Sequence, residues 1–149
     1  MPPSIAGLVP HRGPMCLLQE VVQSDAHGIV CGAVSHRAAD NPLRCDGSLP
    51  AVAGIEYAAQ ALAAHCALLA RDAPGEPVRG LLAGVREVKL HVARLDDIAG
   101  PLTVRANRLV ANGPRLLYAF AVQSGERELL SGRVAVVLQP GAPACSACW

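Results

Sequence analysis

The sequence predicts an α+β domain, with one long buried helix on one face of an antiparallel sheet of about six strands. Three observations carry this. A single Ala-rich run, Ala51 to Arg71, has high helix propensity. Two runs rich in branched or alternating apolar residues precede it and four β-like segments follow it. Turn-forming Gly, Pro, Asn and Asp punctuate the gaps.

The chain opens with Leu8-Val9-Pro10-His11-Arg12-Gly13-Pro14, a loop punctuated by proline and glycine. Residues 15–22 read as a first strand and residues 28–35 as a second, joined at Asp25-Ala26-His27-Gly28 into a hairpin. A dense loop fills residues 39–50. The helix begins at Pro50 or Ala51, since proline suits a helix start, and Asp72-Ala73-Pro74-Gly75 ends it. Its apolar residues occur all round, so it is buried on most sides. A sheet of this size cannot cover such a helix unless it curls strongly, and a dimer is expected. Four strands follow, at residues 80–95, 102–110, 115–123 and 127–138. Asp96-Asp97, Asn112-Gly113-Pro114 and Ser124-Gly125-Glu126 separate them, the last two as hairpin turns. One domain is expected over residues 1–139, with a flexible tail over 140–149. The tail carries the pair Cys145 and Cys148, which without a second pair is a weak metal or redox signal.

Composition narrows the function. At 149 residues and 15.4 kDa the chain is one ordinary domain. Apolar residues make up 52% and charged residues 17%, which excludes a disordered polyelectrolyte. A net charge of +1 and only four Phe, Trp and Tyr residues argue against nucleic-acid binding. The uncharged apolar run at residues 57–70 is shorter than the roughly 20 residues of a bilayer span, so no membrane span is expected. The first residues lack an early positive charge and a long apolar core, so they do not read as a secretory signal. The cysteines are scattered, and four are read as free thiols in or near the core of a cytoplasmic protein.

Three stretches resemble a known family. Leu8-Val9-Pro10-His11-Arg12-Gly13-Pro14-Met15 followed by Leu17-Leu18 is similar to an LLPHRxPxLLLD segment. Leu49-Pro50 and Gly54-Ile55-Glu56-Tyr57-Ala58-Ala59-Gln60 resembles a PGxxxxEAMAQ helix start. Leu82-Ala83-Gly84-Val85-Arg86-Glu87-Val88-Lys89-Leu90 resembles an LxGVxxVKF strand. In this order and spacing they belong to the hotdog-fold dehydratases that act on 3-hydroxyacyl chains carried by acyl carrier protein (ACP). Within that superfamily the resemblance is to dehydratase-like proteins of aryl polyene and related polyketide-type gene clusters.

The resemblance implies a long helix wrapped by a curved antiparallel sheet, with two protomers joined edge to edge. It implies an ACP or CoA thioester as substrate, and a homodimer or a heterodimer with a related hotdog subunit. Eliminating water from a 3-hydroxyacyl thioester takes a base for the proton α to the thioester and an acid for the departing hydroxyl. No metal or organic cofactor is implied. In the family a His and an acidic residue share this work across the dimer interface, and helix-start N–H groups polarise the thioester carbonyl. The acidic residue maps onto Glu56. Pro50, Gly54 and Gln60 are the candidate substrate-binding positions. Gly54 falls in the first helical turns, where free N–H groups and the positive dipole end lie. Gln60 is one turn past Glu56, on the same face.

The family's His lies fourteen residues before its acid, and that position here is Pro42. His65 follows Glu56 by nine residues and faces the other side of the helix, so it cannot pair with it. His36, at the end of the second strand, and His11, in the PHR segment, are the remaining catalytic candidates. Asp46, in the loop before the helix, is read as a helix cap or a partner of Arg44. Arg86 and Lys89 are candidates for contacting the acidic carrier, against a solvated strand face as the alternative. Three functions stay open: a dehydratase, a non-catalytic acyl-binding partner of an active dehydratase, and a hotdog thioesterase using Glu56 without a His.

Overall fold

A computed structural model describes residues 4–9, 11–71 and 78–140. The strands are β1 (Glu20–Ser24), β2 (Gly28–Ala33), β3 (Val78–Leu90), β4 (Leu102–Asn112), β5 (Arg115–Ser124) and β6 (Arg127–Pro140), and the helix is α1 (Gly54–Arg71). All neighbouring strands pair antiparallel in one six-stranded sheet, in the order β1-β2-β4-β5-β6-β3. This is the hotdog arrangement that the sequence predicts. The segment carrying Cys145 and Cys148 lies outside the described residues.

Alternation decides which face of the sheet is buried. Val104 and Ala106 of β4, Tyr118, Phe120 and Val122 of β5, and Leu130, Val134 and Val136 of β6 are all buried. Against them α1 sets Tyr57, Ala58, Ala61, Leu62 and Ala64. Each fully buried Leu or Val contributes about 1.5–3 kcal/mol. The alanines let helix and sheet approach closely, and Gly54 takes this furthest. A Cβ there would lie 2.6 Å from Leu130 Cδ2.

The hairpins follow turn chemistry. Gly113 and Gly125 have φ of 59°, and each is the first residue of a two-residue loop. That is the preference of a type II′ turn. The β1–β2 turn is closed by Asp25, whose Oδ1 accepts the N–H groups of His27 (2.7 Å) and Gly28 (3.0 Å).

Several boundaries differ from the sequence reading, each for a stated reason. Residues 15–22 are not one strand. A 3-10 turn covers Gly13–Met15, and β1 begins only at Glu20. Between them Leu17 gives its N–H to the side chain of Gln60 and its carbonyl to Ser35 Oγ, which removes both from any ladder. β2 ends at Ala33, and Ser35–Arg37 forms a 3-10 turn. The helix is preceded by a 3-10 turn at Ala51–Ala53. β3 stops at Leu90 because the following residues hold the start of the helix. Leu95 donates to the Leu49 carbonyl (2.8 Å), and Ala51 donates to that of Ala93 (3.0 Å).

Asp46 does neither task read for it. Arg44 instead reaches the carbonyls of Ala38, Gly47 and Arg37. The carboxylate at the helix start is Asp96, which accepts the Leu49 N–H at 2.9 Å and pairs with Arg94. Of the thiols, Cys31 is buried, Cys16 and Cys66 are half-buried, and Cys45 is exposed rather than in the core.

Residues 51–71 are long and apolar enough to cross a bilayer, so the shorter run counted in the sequence does not itself decide the matter. Burial bears on it instead, because Gln60 and His65 are fully buried and bonded to surrounding strands and loops. This is the core helix of the sheet.

Candidate active site at the start of the helix

Glu56 lies in the first turn of α1, where the helix dipole favours a negative charge. Its side chain is 33% exposed. The loop from His11 to Cys16 folds over it. Gly13 turns that loop with φ of 60°, and the Cys16 N–H closes the turn on the Gly13 carbonyl (3.0 Å). His11 then brings Nε2 to 3.1 Å from Glu56 Oε1, with its own side chain 17% exposed.

Gln60 joins helix to loop. Its amide nitrogen donates to the Met15 carbonyl (2.7 Å) and to Glu56 Oε1 (3.3 Å), and its oxygen accepts the Leu17 N–H (2.9 Å). Both amide protons are used, as a fully buried amide requires. The structure thus brings together three predicted residues, Glu56, His11 and Gln60.

The other candidates lie apart from this cluster or have other commitments. Gly54 donates its own N–H to the carbonyls of Ala51 and Val52, within the 3-10 turn. Its lack of a side chain is required by Leu130. Pro50 is the N-cap of the 3-10 turn Ala51–Ala53 and bridges to Arg94. His36 is not a free strand-end side chain: it is fully buried, and Nε2 lies 3.0 Å from the Ile98 carbonyl. Burial holds its pKa below the ordinary value. Pro42 is exposed. Arg86 and Lys89 are exposed on the edge strand β3.

The sequence reading missed a second polar cluster behind the site. Ser35 Oγ donates to the Leu17 carbonyl (2.7 Å), so the Tyr57 hydroxyl donates to Ser35 Oγ (2.6 Å). Asn41 Nδ2 completes the set on Tyr57 at 3.1 Å and also reaches the Ser35 carbonyl (2.9 Å). This cluster fixes the loop that carries Pro42. Tyr57 sits next to Glu56 in sequence, but only the fold shows that its hydroxyl has partners. Among the described residues, no three His, Cys, Asp or Glu come together as a metal site.

A carboxylate with a neighbouring imidazole beside a helix start is suited to acid–base work on a thioester. A family model described as ApeP-like, ApeP dehydratase, matches residues 3–146. The chain belongs to the ApeP-like dehydratase family. Its fold is similar to that of a chain in the dehydratase heterocomplex ApeI:P from Xenorhabdus doucetiae. The TM-score is 0.78 at 22% identity, over 95% of this chain and 93% of that one. A mutant of a thioesterase enzyme from Staphylococcus aureus gives 0.60 at 14% identity, over 81% and 93%. AziG of S. sahachiroi gives 0.58 at 15% identity, over 85% and 93%. Likenesses at such identities show the hotdog fold alone. No curated protein matches the chain. Membership of the family agrees with the resemblance carried by the three motif blocks.

Proposed function

We propose that this chain is one subunit of a hotdog dehydratase heterocomplex. It would pair with a related subunit that supplies the imidazole, and contribute Glu56 to a shared site for a 3-hydroxyacyl thioester on ACP. The observation that carries the reading is at position 42. Where the resemblance to 3-hydroxyacyl-ACP dehydratases implies a His, this chain has an exposed proline, while His36 nearby is buried and bonded to a main-chain carbonyl. The likeness to a chain from a solved heterocomplex supports it.

The edge strand β3 offers a surface for pairing. Leu82 and Leu90 there are each 49% exposed, and Arg86 and Lys89 add positive charge that suits an acidic carrier. In the elimination one proton leaves carbon 2, and its electron pair forms the C2=C3 bond. The C3–O bond breaks, and the hydroxyl departs as water with a proton from the catalyst.

A second reading, a self-sufficient dehydratase, is favoured by the His11–Glu56 contact at 3.1 Å. Intact-mass analysis of 3-hydroxyacyl-ACP separates the readings. The proposal expects loss of one water only when the chain is combined with a His-bearing hotdog subunit. Full activity of the homodimer would establish the second reading. Free ACP thiol would identify a thioesterase.

A further inference from the structure

The two donors that reach Glu56 land on the same oxygen. His11 Nε2 and Gln60 Nε2 lie 3.1 Å and 3.3 Å from Oε1. Oε2 has no partner among the described residues, on a side chain one-third exposed.

The imidazole is equally one-sided. Among the described residues His11 Nδ1 is buried without a hydrogen-bond partner. Nε2 faces a carboxylate, so Nε2 carries the ring proton and Nδ1 is the bare nitrogen. A proton on Nδ1 would be a buried N–H with no acceptor, which is unfavourable. Such a ring donates one fixed hydrogen bond through Nε2, and its other nitrogen is enclosed with no polar group to exchange a proton with among the described residues. Gln60 is fixed more firmly, since its amide is satisfied on both atoms by the loop that carries His11 and by Glu56.

We propose that His11 and Gln60 are positioning residues that hold Oε1 of Glu56, leaving Oε2 as the oxygen through which the substrate's proton passes. His11 itself is neither the acid nor the base. This rests on the reading of Glu56 as part of the thioester site. Across the whole elimination one proton leaves carbon 2 and one reaches the departing hydroxyl, so the shared site ends with the protons it began with. A second imidazole is then needed beside Oε2, which agrees with a partner subunit supplying it.

The test uses the complex of this chain with its His-bearing hotdog subunit, and 3-hydroxyacyl-ACP as substrate. His11→Phe is expected to lower kcat about tenfold with KM within about twofold, since orientation is lost and binding kept. His11→Gln, which keeps a side-chain N–H donor, is expected to restore most of that loss. Equal loss in the two variants would make His11 an acid–base group and overturn the proposal. A change confined to KM, or no change, would overturn it too. A second measurement needs neither activity nor a partner. Imidazole 15N NMR of the chain, with the His11 signals assigned by the His11→Phe variant, is expected to show a protonated Nε2 and a bare Nδ1. The opposite tautomer would overturn the proposal even if the heterocomplex reading stands. The expected tautomer with an inactive complex would sink only the heterocomplex reading.

Discussion

One helix carries two polar centres of opposite character. Near its start, Glu56 has one oxygen held and one free, beside a half-buried His11. Nine residues on, on the other side of the same helix, His65 is fully buried and bonded at both nitrogens. Its Nε2–H donates to the Asp25 carbonyl (2.8 Å), so Nδ1 accepts the Tyr118 hydroxyl (2.6 Å). The Tyr118 ring meets the imidazole edge-on, with centroids 5.6 Å apart. Burial pushes the Tyr118 phenol up and holds His65 below its ordinary value. The closed centre ties α1 to β5 and to the β1–β2 turn, whereas the open centre keeps an acceptor unused. A buried histidine with every bond made is a structural part; a carboxylate with one unfilled oxygen is available for chemistry.

Substitutions at the two centres should therefore separate activity from stability. The largest effect is expected from Glu56→Gln, which should reduce turnover of the active complex by about 100-fold or more, with a thermal midpoint close to wild type. His65→Leu should do the reverse. It leaves the Asp25 carbonyl without its partner and the Tyr118 hydroxyl with only the Cys66 thiol at 3.8 Å, costing about 3 kcal/mol and lowering the midpoint by roughly 10 °C. Loss of turnover without loss of stability in that variant would erase the distinction between the centres.

Gly54→Ala should have a smaller effect than His65→Leu. Its new methyl group meets Leu130, and calorimetry should read a cost of about 2 kcal/mol from overpacking. A smaller signal comes from pH. The folded His65 binds a proton less readily than the unfolded one, so its contribution to stability is present above about pH 6.5 and is lost as pH falls below it. Denaturant titrations from pH 7.5 to 5.5 should show this slope, to which the buried His36 also contributes, and His65→Gln should reduce it. Asp96 acts lower on the scale. Its bond from Arg94 and the Leu49 N–H depress its pKa, so its contribution is lost only as pH falls through the carboxylate range.

The fold was legible because the hydrophobic pattern is local. An Ala-rich run and strands bounded by Gly, Asn and Asp carry their own periods, and the three motif blocks added the superfamily. The boundaries at 15–22 and 91–95 were not legible, because side chains distant in sequence decide them. Gln60 takes the Leu17 N–H, and Asp96 takes that of Leu49. At the site, Glu56 and Gln60 share a helix face, so their contact follows from spacing alone. His11 is 45 residues from Glu56, and only folding the loop from His11 to Cys16 over the helix brings them together. The placing of His36 at a strand end differs from the structure because the chain leaves the strand at Ala33 and turns the imidazole inward.

The register of β3 reaches further than its own strand. Arg86 pairs with Arg133 and Lys89 with Ser131, so three steps on β3 match two on β6. The extra residue lies where Glu87 takes φ of 53° and pairs with Arg133 at 3.3 Å, and a Cβ on Gly132 would lie 3.2 Å from the Val88 side chain next to it. In an uninterrupted strand, residues an odd number apart point to opposite sides. The insertion inverts that parity, and Arg86 and Lys89 come out on the same side of the sheet as Arg133. The cationic character of this rim is thus written as a miscount in the ladder, and deleting the neutral Val88 would scatter the charges to both faces without changing the net charge.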